Sequence, residues 1–352
     1  MLFYELIQVA FDLRERLSRT PTEKEWAVLF EMSNEQSVAG VTFMALDKLM
    51  RFGQKPPLNA LYEWIAVSQH LRATYAQSEN AVEALSKVLY EGGFKMMILK
   101  GHGIALNYPI KELRPSGDLD IWCLGREKEV DNYLSSKAIK IDNSHHHHSV
   151  FHFEGVIVEN HYDFINVHSR PSNKVIEVYL KKLAQEGIIK AQNNDCVYYP
   201  SADFNALFLL VHSASHFICN EMVVRHLIDW GLFFKYHHEE ITWDNYLFFI
   251  KEIGLNRFYN LLGLFCMRNF GFDASIFNGI NDDEIFNRFN DDILYPEFNE
   301  KENGYLINSM WVKSRRWWHN RWKNQLCYPD SLFSTFLYSF WGKILKPSHF
   351  IH

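Results

Sequence analysis

Arg114-Pro115-Ser116-Gly117-Asp118-Leu119-Asp120-Ile121-Trp122 is the stretch that decides how this chain folds. Residues two apart on an extended segment point to the same side, so Leu119 and Ile121 can enter a core while Asp118 and Asp120 face one pocket. Two like charges held so close are costly unless a cation neutralises them. A seat made only of carboxylate oxygens suits Mg²⁺ or Mn²⁺ bearing phosphate groups.

Upstream, Lys95-Met96-Met97-Ile98-Leu99 reads as a short buried strand. Lys100-Gly101-His102-Gly103 follows at once and leads into Ile104-Ala105-Leu106, the start of a helix. Strand, glycine turn and helix start together make a phosphate-binding layout. Glycine lets the backbone approach an anion, and the free N–H groups of the first helical turn point at it. Lys100 is either a phosphate contact or a lysine that anchors the turn. Arg114, four residues before Asp118, either brings its planar fork to phosphate oxygens in the same pocket or pairs with a loop acid such as Glu112. Downstream, Val156-Ile157-Val158-Glu159-Asn160-His161-Tyr162-Asp163 runs from apolar to polar. If extended, it puts Glu159, His161 and Asp163 on one face. Such a stretch is either a solvated strand edge or the source of a third carboxylate that accepts the proton of an attacking hydroxyl.

The segments Leu99 to Pro109 and Arg114 to Trp122 together resemble the DNA polymerase β-type nucleotidyltransferase superfamily, whose hallmark is a glycine-rich strand-to-helix turn followed by an Asp-x-Asp or Asp-x-Glu strand. Within it, the chain is similar to a family of uncharacterised bacterial nucleotidyltransferases with Lys-Gly at the turn and Arg-x-x-Gly-Asp-x-Asp at the strand. The detailed likeness covers residues 95–165. It extends more faintly to His212-Ser213-Ala214-Ser215-His216 and Arg225-His226-Leu227-Ile228-Asp229-Trp230. The resemblance implies an α+β fold, a small mixed-sheet nucleotidyltransferase core flanked by N-terminal and C-terminal helical regions. It further implies Mg²⁺-dependent (or Mn²⁺-dependent) transfer of a nucleoside monophosphate from an NTP to a hydroxyl-bearing acceptor, a small molecule ahead of a protein hydroxyl, with release of pyrophosphate. Asp118, Asp120 and Glu159 become the catalytic and metal-binding carboxylates, with Asp163 as the fallback for the third. Lys100, Gly101, His102, Gly103, Arg114, Gly117 and His161 become substrate-binding residues. The Gly101-His102-Gly103 turn departs from the Gly-Ser or Gly-Gly of many members, which removes a serine hydroxyl from the turn's phosphate contacts.

Composition sets the outer bounds. The 352 residues suffice for two or three cores, and 36 basic against 42 acidic side chains disfavour a general grip on long nucleic acid. Five scattered cysteines without Cys-x-x-Cys spacing, and a start unlike a signal peptide, lead us to expect reduced thiols and a cytoplasmic setting. No uncharged apolar stretch is long enough to span a bilayer. Three zones follow: a helical region over 1–90, strands over 91–200, and a second helical region over 201–352.

Three further features stand apart. His145-His146-His147-His148 follows the turn-like Asp142-Asn143-Ser144 and reads as a solvated hairpin loop, with adventitious metal binding as its alternative. His212 and His216, at i and i+4, share a helix face and either line a nucleotide cleft or make buried structural hydrogen bonds, while Asp229 pairs with Arg225 on one helix. The basic, tryptophan-rich run Lys313 to Lys323, followed by the aromatic stretch Leu332 to Leu345, reads as a helical pair packed on the core. Its alternative is a surface for a membrane or partner, and with it a degenerate nucleotide-binding module in place of an enzyme.

Overall fold

In the computed structural model, which describes residues 1–192, 194–298, 306–335 and 337–338, the chain adopts an α+β fold. The strands are β1 (Met96–Ile98), β2 (Leu119–Trp122), β3 (Ile141–Asp142), β4 (His148–Phe153), β5 (Val156–His161), β6 (Ile188–Lys190) and β7 (Val197–Pro200). They form one mixed sheet in the order β3-β4-β5-β2-β1-β7-β6. β2 runs antiparallel to β1 and parallel to β5, in a register that sets Asp120 opposite Glu159.

Four helices precede the sheet: α1 (Leu2–Ala10), α2 (Glu23–Glu35), α3 (Ala39–Met50) and α4 (Leu58–Glu91). Thr22 starts α2 with a reciprocal cap, its hydroxyl accepting the Glu25 N–H while the Glu25 carboxylate accepts the Thr22 N–H. Between the strands lie α5 (Lys100–Ala105), α6 (Glu127–Ser136) and α7 (Ser172–Glu186). After them come α8 (Ala202–Cys219), α9 (Val224–His237), α10 (Trp243–Glu252), α11 (Asn256–Phe265), α12 (Phe286–Leu294), α13 (Leu306–His319) and α14 (Arg321–Cys327). Among the described residues no helix is long and apolar enough to cross a membrane. All five cysteines are free, and four are buried.

The period of two in the strands divides the core. Met96, Ile98, Leu119, Ile121 and Val158 face α4 and α6, packing on Leu85, Leu89, Val130 and Leu134. On the opposite face Met97, Leu99 and Trp122 join a larger cluster that runs from Phe3 to Tyr328. Residues of all three composition zones therefore bury their side chains together. Tyr4 of α1 meets Phe265 at the end of α11 with ring centroids 5.6 Å apart, and Gln8 Nε2 donates to the Asn269 carbonyl at 2.8 Å. Each large side chain so buried contributes about 1.5–3 kcal/mol. Gly40 of α3 approaches the Leu113 carbonyl so closely that a Cβ would stand 2.0 Å from it, which seats the N-terminal helices against the loop bearing Arg114.

The tetrahistidine differs from its expected form as a solvated loop. His148 is buried in β4 and pairs across the sheet with His161, because the strand begins two residues before Val150, its first apolar residue. At the other end of the chain, α14 packs on α8 by setting Trp322 edge-on against Phe217 at 5.5 Å, while Trp311 and Trp318 of α13 are exposed. Residue 336 and residues 339–345 of the aromatic stretch lie outside the described residues.

Candidate active site

A cleft of about 480 Å³ opens between the start of β2 and the helices α8 and α9. Lys100, Gly101, Arg114, Ser116, Gly117, Asp118 and Asp120 line its sheet side, and His212, His216, Arg225, His226 and Asp229 its helical side. Ser37, between α2 and α3, reaches in from the N-terminal region.

The sheet side is built on alternation. Leu119 and Ile121 go into the core, so the residues between and before them face the cleft; Asp118 is exposed and Asp120 buried. Asp120 Oδ1 accepts from Lys100 Nζ at 2.8 Å and from His161 Nε2 at 2.8 Å. Burial alone would raise the Asp120 carboxyl, but Lys100 and His161 overcome it and hold it well below the usual carboxylate range. His161 Nδ1 faces the Asp163 carbonyl at 3.2 Å. Both ring nitrogens therefore face oxygens that only accept, which makes the ring an imidazolium. Burial and Lys100 push its pKa down, yet the hydrogen bonds to Asp120 and Glu159 prevail and hold it above the ordinary value. Glu159 Oε2 lies 3.4 Å from His161 Nε2, and Oε1 lies 3.8 Å from His148. Asp118 is shifted the other way, raised by desolvation first and then by the charges of Asp120 and Glu159. Three carboxylates against Lys100 and one imidazolium leave a negative charge over on this wall.

Glu159 is thus the acid brought beside Asp120, whereas Asp163 turns its carboxylate to Lys181 on α7. The approach at Gly101 is close: a Cβ there would stand 3.3 Å from Ser116 Oγ and 3.4 Å from Arg114 Nη1. That Ser116 hydroxyl is buried without a hydrogen-bond partner. A serine does stand beside the turn after all, supplied by the next loop.

Two residues of the turn go elsewhere. α5 begins directly at Lys100, so the side chains fan out around a helix and do not share one rim. His102 stacks on Tyr75 at 5.0 Å and contacts Ser78 Oγ at 3.4 Å, binding α5 to α4 and facing away from the carboxylates. Gly103 lies against Ile98 and Tyr199, outside the cleft.

Arg114 pairs with an acid, but not with Glu112. Its Nε and Nη2 hold both oxygens of Asp229 at 2.8 and 2.7 Å, and Tyr108 Oη donates to the same carboxylate at 2.6 Å. A guanidinium fork matches a carboxylate edge, so Asp229 takes Arg114 at short range and leaves Arg225, its neighbour one helical turn earlier, at 3.6 Å. This pair ties the loop before Asp118 to α9.

His212 and His216 do line the cleft, with their Nε2 atoms 3.2 Å apart, and His226 from α9 completes a cluster whose nitrogens lie within 4.8 Å. The cluster falls one ligand short of a three-histidine ion site. His226 Nδ1 accepts the Val223 N–H at 3.1 Å, so the ring proton resides on Nε2 and neither nitrogen has a lone pair to give. Burial first, then Arg225 and His216, pushes His226 down to about 3 from an ordinary 6.5. The sign of the linkage follows. Above pH 6.5 the ring is neutral folded or unfolded, and its contribution to stability is complete. As pH falls from 6.5 towards 3 the unfolded chain takes up a proton the fold refuses. Stability then drops by up to about 1.4 kcal/mol per pH unit from this group. Urea unfolding at neutral and mildly acid pH should show the wild type losing more stability than His226→Gln, which still caps Val223 but does not titrate; equal losses would refute it.

A larger groove of about 880 Å³ lies beyond His102, between α4 and β7. It contains neither member of the Asp118–Asp120 pair, and its Glu83 is neutralised by Lys87 at 2.6 Å.

Ser37 reaches the site without having been singled out from the sequence, and Arg225, His226, Ser116 and His148 were named there without a site role. Only the Arg225-His226-x-x-Asp229 spacing on a helix offered a signal. Among known proteins, the model of a family described as "Uncharacterised nucleotidyltransferase" matches residues 22–271. No curated protein and no solved structure matches the chain.

Proposed function

The chain belongs to this uncharacterised nucleotidyltransferase family, and on that premise we propose that it moves a nucleoside monophosphate from an NTP to the hydroxyl of a small acceptor, releasing pyrophosphate. The observation that carries the reading is the register of β2 and β5, which sets Asp120 beside Glu159 with Asp118 at the mouth of a cleft sized for a nucleotide.

The donor set fits a hard divalent cation: carboxylate oxygens predominate, and their charge exceeds that of Lys100 and His161. Asp118 and Asp120, with Glu159 behind them, are the residues that would hold Mg²⁺ or Mn²⁺, which when bound neutralises triphosphate charge and polarises the attacking and leaving oxygens. The remaining work belongs to the chain. The Lys100–Gly101 backbone and the unpaired Ser116 hydroxyl offer donors to phosphate oxygens. Lys100 is poised to trade its Asp120 contact for a phosphate. The acceptor oxygen forms its bond to the α-phosphorus as the bond to the bridging oxygen breaks. The hydroxyl proton passes to Glu159, an ionised carboxylate whose pKa the His161 hydrogen bond lowers against its burial.

The test incubates the full chain with each labelled NTP, Mg²⁺ and a small-molecule extract. Pyrophosphate release with label on a small molecule supports the proposal. Label on protein or RNA keeps the chemistry but overturns the acceptor class, and NTP binding without pyrophosphate release points to a binding module.

A further inference from the structure

Arg225, on the helical wall, shares its counter-charge with Arg114. Among the described residues the carboxylate it pairs with is Asp229 at 3.6 Å, beyond hydrogen-bond reach. That carboxylate is already committed to both nitrogens of the Arg114 fork and to Tyr108. One acid between two guanidiniums leaves a positive charge over, on a side chain 25 % exposed that opens to the cleft.

Its neighbour supplies a second donor. With His226 Nδ1 accepting from Val223, the Nε2–H is free to donate, and the 3.4 Å separation between Arg225 Nη2 and that nitrogen brings two donors side by side. Two donors beside an excess positive charge suit an oxyanion, and a guanidinium fork suits a phosphate above all. The pair is held firmly in place: Gln36 Oε1 accepts the Val224 N–H at 3.0 Å, and the Gln36 carbonyl accepts the Arg225 N–H at 3.3 Å. Those bonds occupy the amides at the start of α9, so any anion there is held by side chains. Ser37 follows Gln36 directly, with φ of 54°, and lines the same cleft.

We propose that Arg225 and His226 form a phosphate subsite on the helical wall, across the cleft from Asp118 and Asp120. The inference rests on the nucleotidyltransferase reading for one of its two sources. The phosphate is either the terminal part of the nucleotide's triphosphate or a group on the acceptor. The sheet wall repels free anions with its surplus negative charge, while the helical wall attracts them. A substrate with phosphate at one end and a cation-bridged segment in the middle satisfies both walls at once.

Calorimetry on the full chain tests this with inorganic tripolyphosphate, an NTP with Mg²⁺, and inorganic phosphate, using the wild type, Arg225→Gln and Arg225→Lys. For a triphosphate source, Arg225→Gln weakens tripolyphosphate and NTP binding about 10- to 100-fold, the loss of a charge-assisted hydrogen bond, and Arg225→Lys restores part of it. For an acceptor source, only inorganic phosphate binding falls. Unchanged affinity for all three ligands in Arg225→Gln overturns the subsite, as does a wild type that binds none of them. A wild type that binds phosphate through Arg225 but no nucleotide keeps the subsite and overturns the transferase reading. Since Arg225 gains little from Asp229, the Gln variant should melt with the wild type. Should it fail to fold, Arg225→Lys, which keeps the charge and loses the fork, decides by an intermediate loss against none.

Discussion

Replacing Asp118 by Asn is expected to lower NTP turnover, read as pyrophosphate release, by about 100- to 1,000-fold, the usual effect of deleting one electrostatic contact to a developing transition state. Asp118 is exposed, so its unfolding transition should match that of the wild type. Asp120→Asn should lose at least as much activity but behave differently in the resting protein. It deprives Lys100 and His161 of the carboxylate they share, leaving two cations adjacent. His161 should then surrender its proton, and its ring resonances in NMR should titrate at lower pH than in the wild type. Unchanged turnover in an Asp118→Asn, Asp120→Asn double variant would end the transferase reading.

The largest stability effect is expected at Arg114. The Arg114 and Asp229 side chains are 3 % and 7 % exposed, so neither can recruit water if the other is lost. Arg114→Met should therefore cost about 3–5 kcal/mol, the range for breaking one partner out of a buried pair. Adding Asp229→Leu should return part of that, because two apolar groups need no partners although the buried Tyr108 hydroxyl loses its acceptor. Equilibrium unfolding of the three variants measures both terms. The double variant should nonetheless turn over slowly, since the pair fixes the loop that leads into Asp118. A double variant as unstable as Arg114→Met alone would assign the loss to packing, not to the stranded charge.

What the sequence reveals about this protein is what lies within a few residues. The alternation Asp118-Leu119-Asp120-Ile121 is local, so the facing of Asp120, on β2, and Asp118, just before it, into one cleft could be read directly, as could β1 and the Val156–His161 strand beside β2. His102 could not be placed, because its direction depends on whether Lys100–Gly103 is a turn or already a helix, and the glycines permit both. Arg114 and Asp229 are 115 residues apart, and nothing near Arg114 favours that acid over Glu112. The tetrahistidine misleads for a related reason: a histidine in a strand is legible only through its cross-strand partner, here His161. Nor does composition disclose that the three zones share a core, since helical patterning reports which face is apolar but not what covers it.

The docking of α1 onto the end of α11 also bears on how the chain comes off the ribosome. Tyr4 and Gln8 meet Phe265 and Asn269, and the Gln8–Asn269 bond closes a separation of 261 residues, so these contacts of the first helix form late in synthesis. At the usual pace of synthesis that delay is roughly ten seconds to a minute. α3 follows α1 closely and covers part of its apolar face, but the side bearing Tyr4 lies open for that interval until Phe265 and Phe270 arrive, the kind of surface that chaperones meet.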